Sequence, residues 1–226
     1  MSLDLPRIRA ICFDVDGTLR DTDDQYVEFF QKLIAPLQSL LPGRDAARTA
    51  RKLVMRLEGP GNLLYSLPDR LGFDRPLARI GERLKRGAHS SRPQAYKIIP
   101  GTAQLLDRLA GRYPLAIVTA RNRSNTLNFL DHFELARYFR CIVVGQTTRR
   151  SKPHPDPIHW AAGQLGLPAQ TCLMVGDTSV DIRAGKAAGA QTAGVLCGFG
   201  EEAELRRSGA DLILNQTADL ADVLLL

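Results

Sequence analysis

The sequence contains few cysteine, histidine and aromatic residues. Its 226 residues include four cysteines, four histidines and one tryptophan, and aromatic residues make up 6%. The cysteines lie far apart in the chain and form no CxxC pair: Cys12, Cys141, Cys172 and Cys197. We interpret them as buried, reduced thiols rather than as a disulfide framework or a soft-metal site. This usage predicts a reducing compartment, the cytoplasm.

Long apolar runs and an excess of acidic charge are also missing. No apolar run approaches about 18 residues, so neither a membrane span nor a membrane partner is expected. The first apolar stretch contains acids and is followed by no small-residue cleavage site, so no signal peptide is expected. Thirty basic against 24 acidic residues give a net charge of +6, which favours anionic small molecules as ligands. Nucleic acid is not an expected partner, because few aromatic residues are interleaved with the basic ones.

Short apolar segments alternate with helical patterns through most of the chain. The apolar segments predict strands at Ile8–Phe13, Leu115–Thr119, Cys141–Val144, Thr171–Val175, Thr192–Leu196 and Asp211–Leu214. The patterns between them predict helices around Thr102–Ala110, Ser124–Asp131, Asp156–Gln164 and Ile182–Ala188. Strands that are apolar on both faces and separated by helices predict an α/β fold with a doubly wound parallel sheet, a Rossmann-like core.

One segment, residues 21–91, departs from this alternation. It has no strand pattern, and Tyr26, Phe30, Leu33 and Leu37 recur at the three- and four-residue spacing of a helix. We therefore predict a helical cap over residues 21–91, inserted after the first strand. Residues 1–20 and 92–226 would form the α/β core.

The first strand ends in a pair of acids. Asp14 and Asp16 lie in the segment DVDGTL, two residues apart and so roughly 6.6 Å apart along a strand. Two such carboxylates next to buried residues are costly unless a cation binds them or one stays protonated. Gly17 lets the backbone turn sharply there. In open α/β sheets, ligands bind at the carboxyl ends of the strands, where this pair is expected.

Three further elements are expected at the same edge of the sheet. Thr119 ends the second strand, Lys152 lies in the proline-rich loop 151–157, and Asp177 and Asp181 follow the strand at 171–175. Two of these elements also have a plain structural explanation, Thr119 as a helix N-cap and Lys152 as a solvent-exposed cation. The spacing of four places Asp177 and Asp181 on one face of a helix that starts there.

Together and in this order, these elements resemble the haloacid dehalogenase-like hydrolase superfamily, and the C-terminal part is similar to its phosphoglycolate-phosphatase-type members. The resemblance implies that Asp14 is the nucleophile and Asp16 the general acid and base. It implies that Thr119 and Ala120 bind phosphate oxygens. Lys152 would neutralise charge at the reacting centre.

The resemblance also implies a Mg²⁺ cofactor. Asp14, Asp16 through its backbone carbonyl, and Asp177 would be the metal ligands, while Asp181 would support either the metal or Lys152. Oxygen ligands with little histidine or cysteine suit this ion.

The resulting expectation is a Mg²⁺-dependent phosphatase that acts on a small phosphorylated metabolite through an aspartyl phosphate. Phosphoglycolate, a sugar phosphate, a nucleotide and pyrophosphate are all open as substrates. Asp16 argues against dehalogenation, because a departing halide needs no proton.

Two alternatives to a phosphatase are open: a phosphomutase, and a non-catalytic binding or regulatory protein on the same fold. Tyr26 weakens the first, because it stands where mutases resemble one another in having histidine. Arg121 either binds phosphate or pairs structurally.

Overall fold

A computed structural model describes residues 3–21 and 96–225. They belong to a compact unit made of Met1–Asp24 and Tyr96–Leu226, and a second unit comprises Gln25–Ala95. The predicted helical cap at 21–91 lies, apart from Asp21, outside the described residues and stays a prediction. The same holds for Tyr26.

The core unit is built on six parallel strands. They are β1 (Ala10–Phe13), β2 (Leu115–Val118), β3 (Phe139–Val143), β4 (Cys172–Gly176), β5 (Gln191–Val195) and β6 (Leu212–Leu214). Their order in the sheet is β3-β2-β1-β4-β5-β6. This order confirms the doubly wound parallel sheet, and its direction of winding reverses between β1 and β4.

Helices connect the strands within the described ranges. They are α1 (Thr102–Ala110), α2 (Arg123–His132), α3 (Asp156–Gln164), α4 (Ser179–Ala187), α5 (Glu202–Arg207) and α6 (Leu220–Leu224). Short 3-10 turns occur at Leu5–Arg7, Ala136–Tyr138, Ala169–Thr171 and Thr217–Asp219. None of these helices has the length and apolar content to cross a membrane.

Apolar side chains on both faces of the sheet form the core. Phe13 and Leu115 pack with Phe129 on one face, and Cys12 and Met174 pack within a second cluster on the other face. All residues of β1, β2, β4 and β5 are buried, whereas β3 lies at the edge and is only partly buried. Burial on both faces is the reason that these strands read as continuous apolar runs in the sequence.

Local differences from the sequence prediction have identifiable causes. Helix α4 starts at Ser179, three residues earlier than predicted, because the Asp181 carboxylate accepts the Thr178 N–H at 3.1 Å and caps the helix start. Strand β3 starts at Phe139, two residues earlier than predicted.

The cysteines follow the prediction in part. All four are free, but only Cys12 and Cys172 are buried, while Cys141 and Cys197 are partly exposed.

The register of the central strands aligns their carboxyl ends at one edge of the sheet. Phe13 pairs with Ile117 of β2 and with Val175 of β4, so the residues that follow β1, β2 and β4 emerge together. Residues 19–21 and 97–99 also lie side by side: the Asp21 N–H donates to the Lys97 carbonyl at 3.0 Å, and the Ile99 N–H donates to that of Leu19 at 2.9 Å.

Candidate active site

Lys152 is the centre of a buried cluster at the carboxyl edge of the sheet. Its Nζ lies 2.8 Å from Oδ1 of Asp14, which follows β1, and 2.6 Å from Oδ1 of Asp181 on α4. Lys152, Asp14 and Asp181 are all buried. The sequence left open whether Lys152 is a solvent-exposed cation, and its burial between two carboxylates excludes that reading.

Asp181 is held by the start of its own helix. Its Oδ2 accepts hydrogen bonds from the Thr178 hydroxyl at 2.8 Å and from the Thr178 N–H, while its Oδ1 accepts from Lys152. Both carboxylate oxygens are therefore engaged. This arrangement fits a residue that orients Lys152.

Asp177 is fixed by the loop that follows β5. Its Oδ2 accepts the Phe199 N–H at 2.8 Å, and its Oδ1 lies 3.4 Å from the Thr18 hydroxyl. Gly17 has φ +72°, and a Cβ atom on either Gly17 or Gly198 would collide with the Asp177 carboxylate. Glycine at these two positions lets the backbone approach that carboxylate closely.

Three of the predicted metal residues come together. Asp14, Asp177 and Asp181 each offer a carboxylate oxygen, and these oxygens lie within 4.8 Å of one another. Lys152 donates to two of these carboxylates, Asp14 and Asp181. Buried carboxylate oxygens this close together suit a divalent hard cation such as Mg²⁺.

The Asp16 carboxylate does not belong to this group. Its Oδ1 forms an ion pair with the guanidinium of Arg121, and the Arg20 guanidinium lies 3.3 Å from the same oxygen. The Asp16 side chain therefore lies in a different hydrogen-bond network from that of Lys152 and the acidic cluster.

Burial controls the acid–base properties of the cluster. Desolvation raises the pKa of Asp14 to about 6, although the Lys152 charge pulls this pKa down, and the neighbouring charge of Asp181 adds to the increase. For Lys152, burial alone would lower the pKa, but the attraction of Asp14 and Asp181 outweighs it and raises the pKa. Lys152 therefore remains a cation at neutral pH.

Thr119 and Ala120 lie at the end of β2, as predicted. The Thr119 hydroxyl oxygen accepts the Arg121 N–H at 3.3 Å, which leaves the Thr119 O–H available to donate. Among the described residues, no backbone partner accepts the Ala120 N–H. Two donors are thus available at the end of β2, which pairs with β1, and donors in such a position suit an anionic oxygen.

Sequence reasoning missed the residues that hold the acids in place. These are Arg20 on Asp16, and Thr18, Phe199 and Gly198 around Asp177. The glycines at 198 and 200, within five residues of the end of β5, were a usable signal for a close backbone approach. The pairing of Arg121 with Asp16 spans 105 positions and has no local signal.

The arrangement has the parts needed for nucleophilic substitution at an anionic centre. Asp14 offers a carboxylate beside the Lys152 ammonium, the acidic cluster can hold a cation, and Asp16 offers a second carboxyl group.

Comparison with known proteins identifies the family. A family model described as haloacid dehalogenase-like hydrolase matches residues 11–195. A pyrophosphatase, PpaX, of Anoxybacillus flavithermus is 30% identical over 96% of this chain and 97% of its own length. A phosphoglycolate phosphatase of Pseudomonas savastanoi is 26% identical over 96% and 79% of the two chains.

Solved structures agree with these relatives. A haloacid dehalogenase family hydrolase of Deinococcus radiodurans, crystallised with bound phosphate and sodium, is 27% identical and superimposes with a TM-score of 0.68, covering 96% of this chain and 95% of its own. The resemblance predicted from the sequence is confirmed. On its motifs, its sheet and these matches, the chain belongs to the haloacid dehalogenase-like hydrolase family.

Proposed function

We propose that this protein is a Mg²⁺-dependent phosphatase that hydrolyses a small phosphorylated metabolite through an aspartyl-phosphate intermediate. The observation that carries the proposal is the buried cluster in which Lys152 joins Asp14 to Asp181, with Asp177 beside them. Phosphate esters resist nucleophiles because their oxygens are anionic, so a carboxylate nucleophile needs positive charge next to it.

In the first half-reaction, a carboxylate oxygen of Asp14 attacks phosphorus and forms the acyl-phosphate bond while the bond from phosphorus to the leaving oxygen breaks. Asp16 donates a proton to that leaving oxygen. Lys152 holds Oδ1 of Asp14 and opposes the negative charge of the transferring group. The Thr119 hydroxyl and the Ala120 N–H donate to its oxygens.

In the second half-reaction, Asp16 accepts a proton from water, whose oxygen attacks phosphorus. The bond from phosphorus to Asp14 then breaks, and Asp14 and the protonated Asp16 are regenerated. One residue thus serves as the acid and then as the base.

Asp14, Asp177 and the Asp16 backbone carbonyl would hold Mg²⁺, and Asp181 would support Lys152. When bound, the ion supplies positive charge that attracts the phosphoryl oxygens and balances the acidic cluster. The set of three carboxylate oxygens within 4.8 Å of one another supports this assignment.

The relatives support the substrate class. Both curated matches bear the names of phosphatases, one for pyrophosphate and one for phosphoglycolate. We propose a small substrate of this kind, phosphoglycolate or a sugar phosphate, with the helical cap at 21–91 selecting it and excluding water. The four free thiols support a cytoplasmic location.

The experiment is hydrolysis of p-nitrophenyl phosphate by the full chain, with Mg²⁺ and with excess chelator, followed by a panel that contains phosphoglycolate, pyrophosphate and sugar phosphates. We expect turnover only with Mg²⁺. Asp14→Asn should abolish it, while Asp131→Asn, the same change at an exposed position of α2, should not.

Full activity in chelator or in Asp14→Asn would refute the mechanism. Isomerised product that depends on a bisphosphate activator would favour the phosphomutase. Absence of turnover across the panel would favour a binding protein.

A further inference from the structure

We propose that Arg121 is a positioning residue: it holds the Asp16 carboxyl group by Oδ1 so that Oδ2 faces the leaving oxygen of the substrate. The inference rests on the proposed function, in which Asp16 transfers the proton. It assigns a role that the sequence left open between binding phosphate and structural pairing.

The Asp16 side chain accepts hydrogen bonds at one of its two carboxylate oxygens, Oδ1. Arg121 Nη1 donates to Oδ1, and Arg20 Nη1 lies 3.3 Å from the same oxygen. No residue in the described ranges donates a hydrogen bond to Oδ2, and the Asp16 side chain is 27% exposed. The carboxyl group is therefore anchored through one oxygen and open at the other.

Arg121 is itself well fixed. Its N–H donates to the Thr119 hydroxyl at 3.3 Å, and its carbonyl accepts the Gly145 N–H at 2.8 Å. A Cβ atom on Gly145 would approach the Ala120 carbonyl oxygen to 2.5 Å, so the loop after β3 packs tightly against this segment. The Arg121 side chain is only 14% exposed. The backbone of Arg121 is therefore fixed, while among the described residues the guanidinium is bound through Nη1 and no partner accepts its Nε–H. A planar guanidinium on a fixed backbone restricts the rotation of the carboxyl group it binds.

The same contacts argue against Arg121 as the main phosphate-binding cation. Its Nη1 is directed at Oδ1 of Asp16, an oxygen that it shares with Arg20. The Lys152 ammonium, by contrast, lies against Asp14, the proposed nucleophile. Positive charge at the phosphoryl group thus comes from Lys152 and the metal cluster, and Arg121 acts through Asp16.

The chemistry is consistent with this geometry. In the protonated acid, Oδ1 accepts from Arg121 while the Oδ2 hydroxyl donates its proton to the leaving oxygen. The resulting carboxylate remains paired with the guanidinium. In the second half-reaction, Oδ2 takes a proton from the attacking water, so both transfers use one fixed oxygen.

The test compares substrates that differ in their need for a proton. Phenyl phosphate releases a basic phenolate that requires protonation, whereas 2,4-dinitrophenyl phosphate releases a stable anion that does not. The measured quantity is kcat/KM, which reports the steps up to cleavage of the ester. General acid catalysis contributes roughly 10²–10⁴-fold. We therefore expect Arg121→Ala to lower kcat/KM by about 10²-fold or more for phenyl phosphate and only a few-fold for 2,4-dinitrophenyl phosphate.

Three further variants complete the test. Arg121→Lys keeps the positive charge and should retain more of the activity on phenyl phosphate than Arg121→Ala does. Arg123→Ala, a matched change at an exposed position of α2, should leave both substrates unchanged. In an Asp16→Asn background, Arg121→Ala should add no further selectivity between the two substrates.

Equal losses for both substrates with a higher KM would overturn the inference in favour of phosphate binding, and unchanged kinetics would overturn it outright. Equal thermal stability of Arg121→Lys and the native protein would show that the effect is not unfolding. If Asp16→Asn lowers kcat/KM equally for both substrates, Asp16 is not the general acid and the proposed function is wrong on that point. That result differs from one in which Asp16→Asn discriminates between the substrates and Arg121→Ala does not, which would refute only the role of Arg121.

Discussion

Replacing the proposed nucleophile, Asp14→Asn, should stabilise the metal-free protein while abolishing its activity. Burial raises the pKa of the Asp14 carboxyl from 3.8 to about 6, so the folded protein binds this proton more tightly than the unfolded chain. The charged form is therefore the unfavourable one in the fold. The penalty is absent below about pH 4, grows between the two pKa values and is complete above about pH 6.

The size of the effect follows from the same pKa. A tenfold change in proton affinity corresponds to about 1.4 kcal/mol, so the charged carboxylate costs the metal-free fold about 3 kcal/mol at pH 8. Asparagine resembles the neutral carboxyl group and avoids this cost. For a chain of this length, ~2–4 °C per kcal/mol gives an increase in Tm of ~6–12 °C.

The assay is thermal unfolding in excess chelator at pH 8 and at pH 4, with Asp131→Asn as the exposed control. The difference in Tm between Asp14→Asn and the native protein should disappear at pH 4. Saturating Mg²⁺ should stabilise the native protein more than the variant, because the variant lacks a proposed ligand. A lower Tm of Asp14→Asn at pH 8 without metal would refute the reasoning, since the ion pair with Lys152 would then outweigh the cost of burial.

Three other changes give distinct results. Lys152→Met removes the charge beside the nucleophile and should lower kcat for p-nitrophenyl phosphate roughly 10²–10³-fold; near-native kcat would contradict its role. Gly17→Ala would force a Cβ into the Asp177 carboxylate at φ +72°, so a titration of activity should show a higher Mg²⁺ requirement. Burial would raise the pKa of Asp211, but hydrogen bonds, chiefly from Lys186, outweigh it and lower this pKa. The Asp211 carboxylate therefore stabilises the fold at neutral pH, and this contribution is lost as the pH falls below about 4. Urea unfolding of Asp211→Asn should therefore show lower stability at pH 7 and a weaker dependence on pH in the acid range.

The sequence predicted the elements whose burial pattern is strong. Helix α1 has the predicted bounds, Thr102–Ala110, because it buries one clear apolar stripe that includes Leu105 and Leu109. Edge strand β3 was misplaced by two residues, because its exposed Arg140 breaks the apolar run from which buried strands are recognised.

For the site, the sequence placed each acid at the sheet edge, since the carboxyl ends of parallel strands share one edge. It could not show which charges pair. The burial of Lys152 and the contact of Arg121 with Asp16 depend on residues more than 100 positions apart, which only the packed sheet brings together. The sequence predicted Asp14 and Asp16 as a close pair of acids, whereas in the structure separate cations, Lys152 and Arg121, hold their carboxylates.

The pairing of residues 19–21 with 97–99 has a consequence for how this architecture can diversify. The chain leaves the core and re-enters it at neighbouring points, joined by hydrogen bonds such as that from Asp21 to Lys97. Because the junction is already closed, exchanging the intervening module need not alter the framework of the hydrolase. Under the proposed function, in which residues 21–91 select the substrate, a change of substrate preference would require changes in this segment and none in the reaction centre.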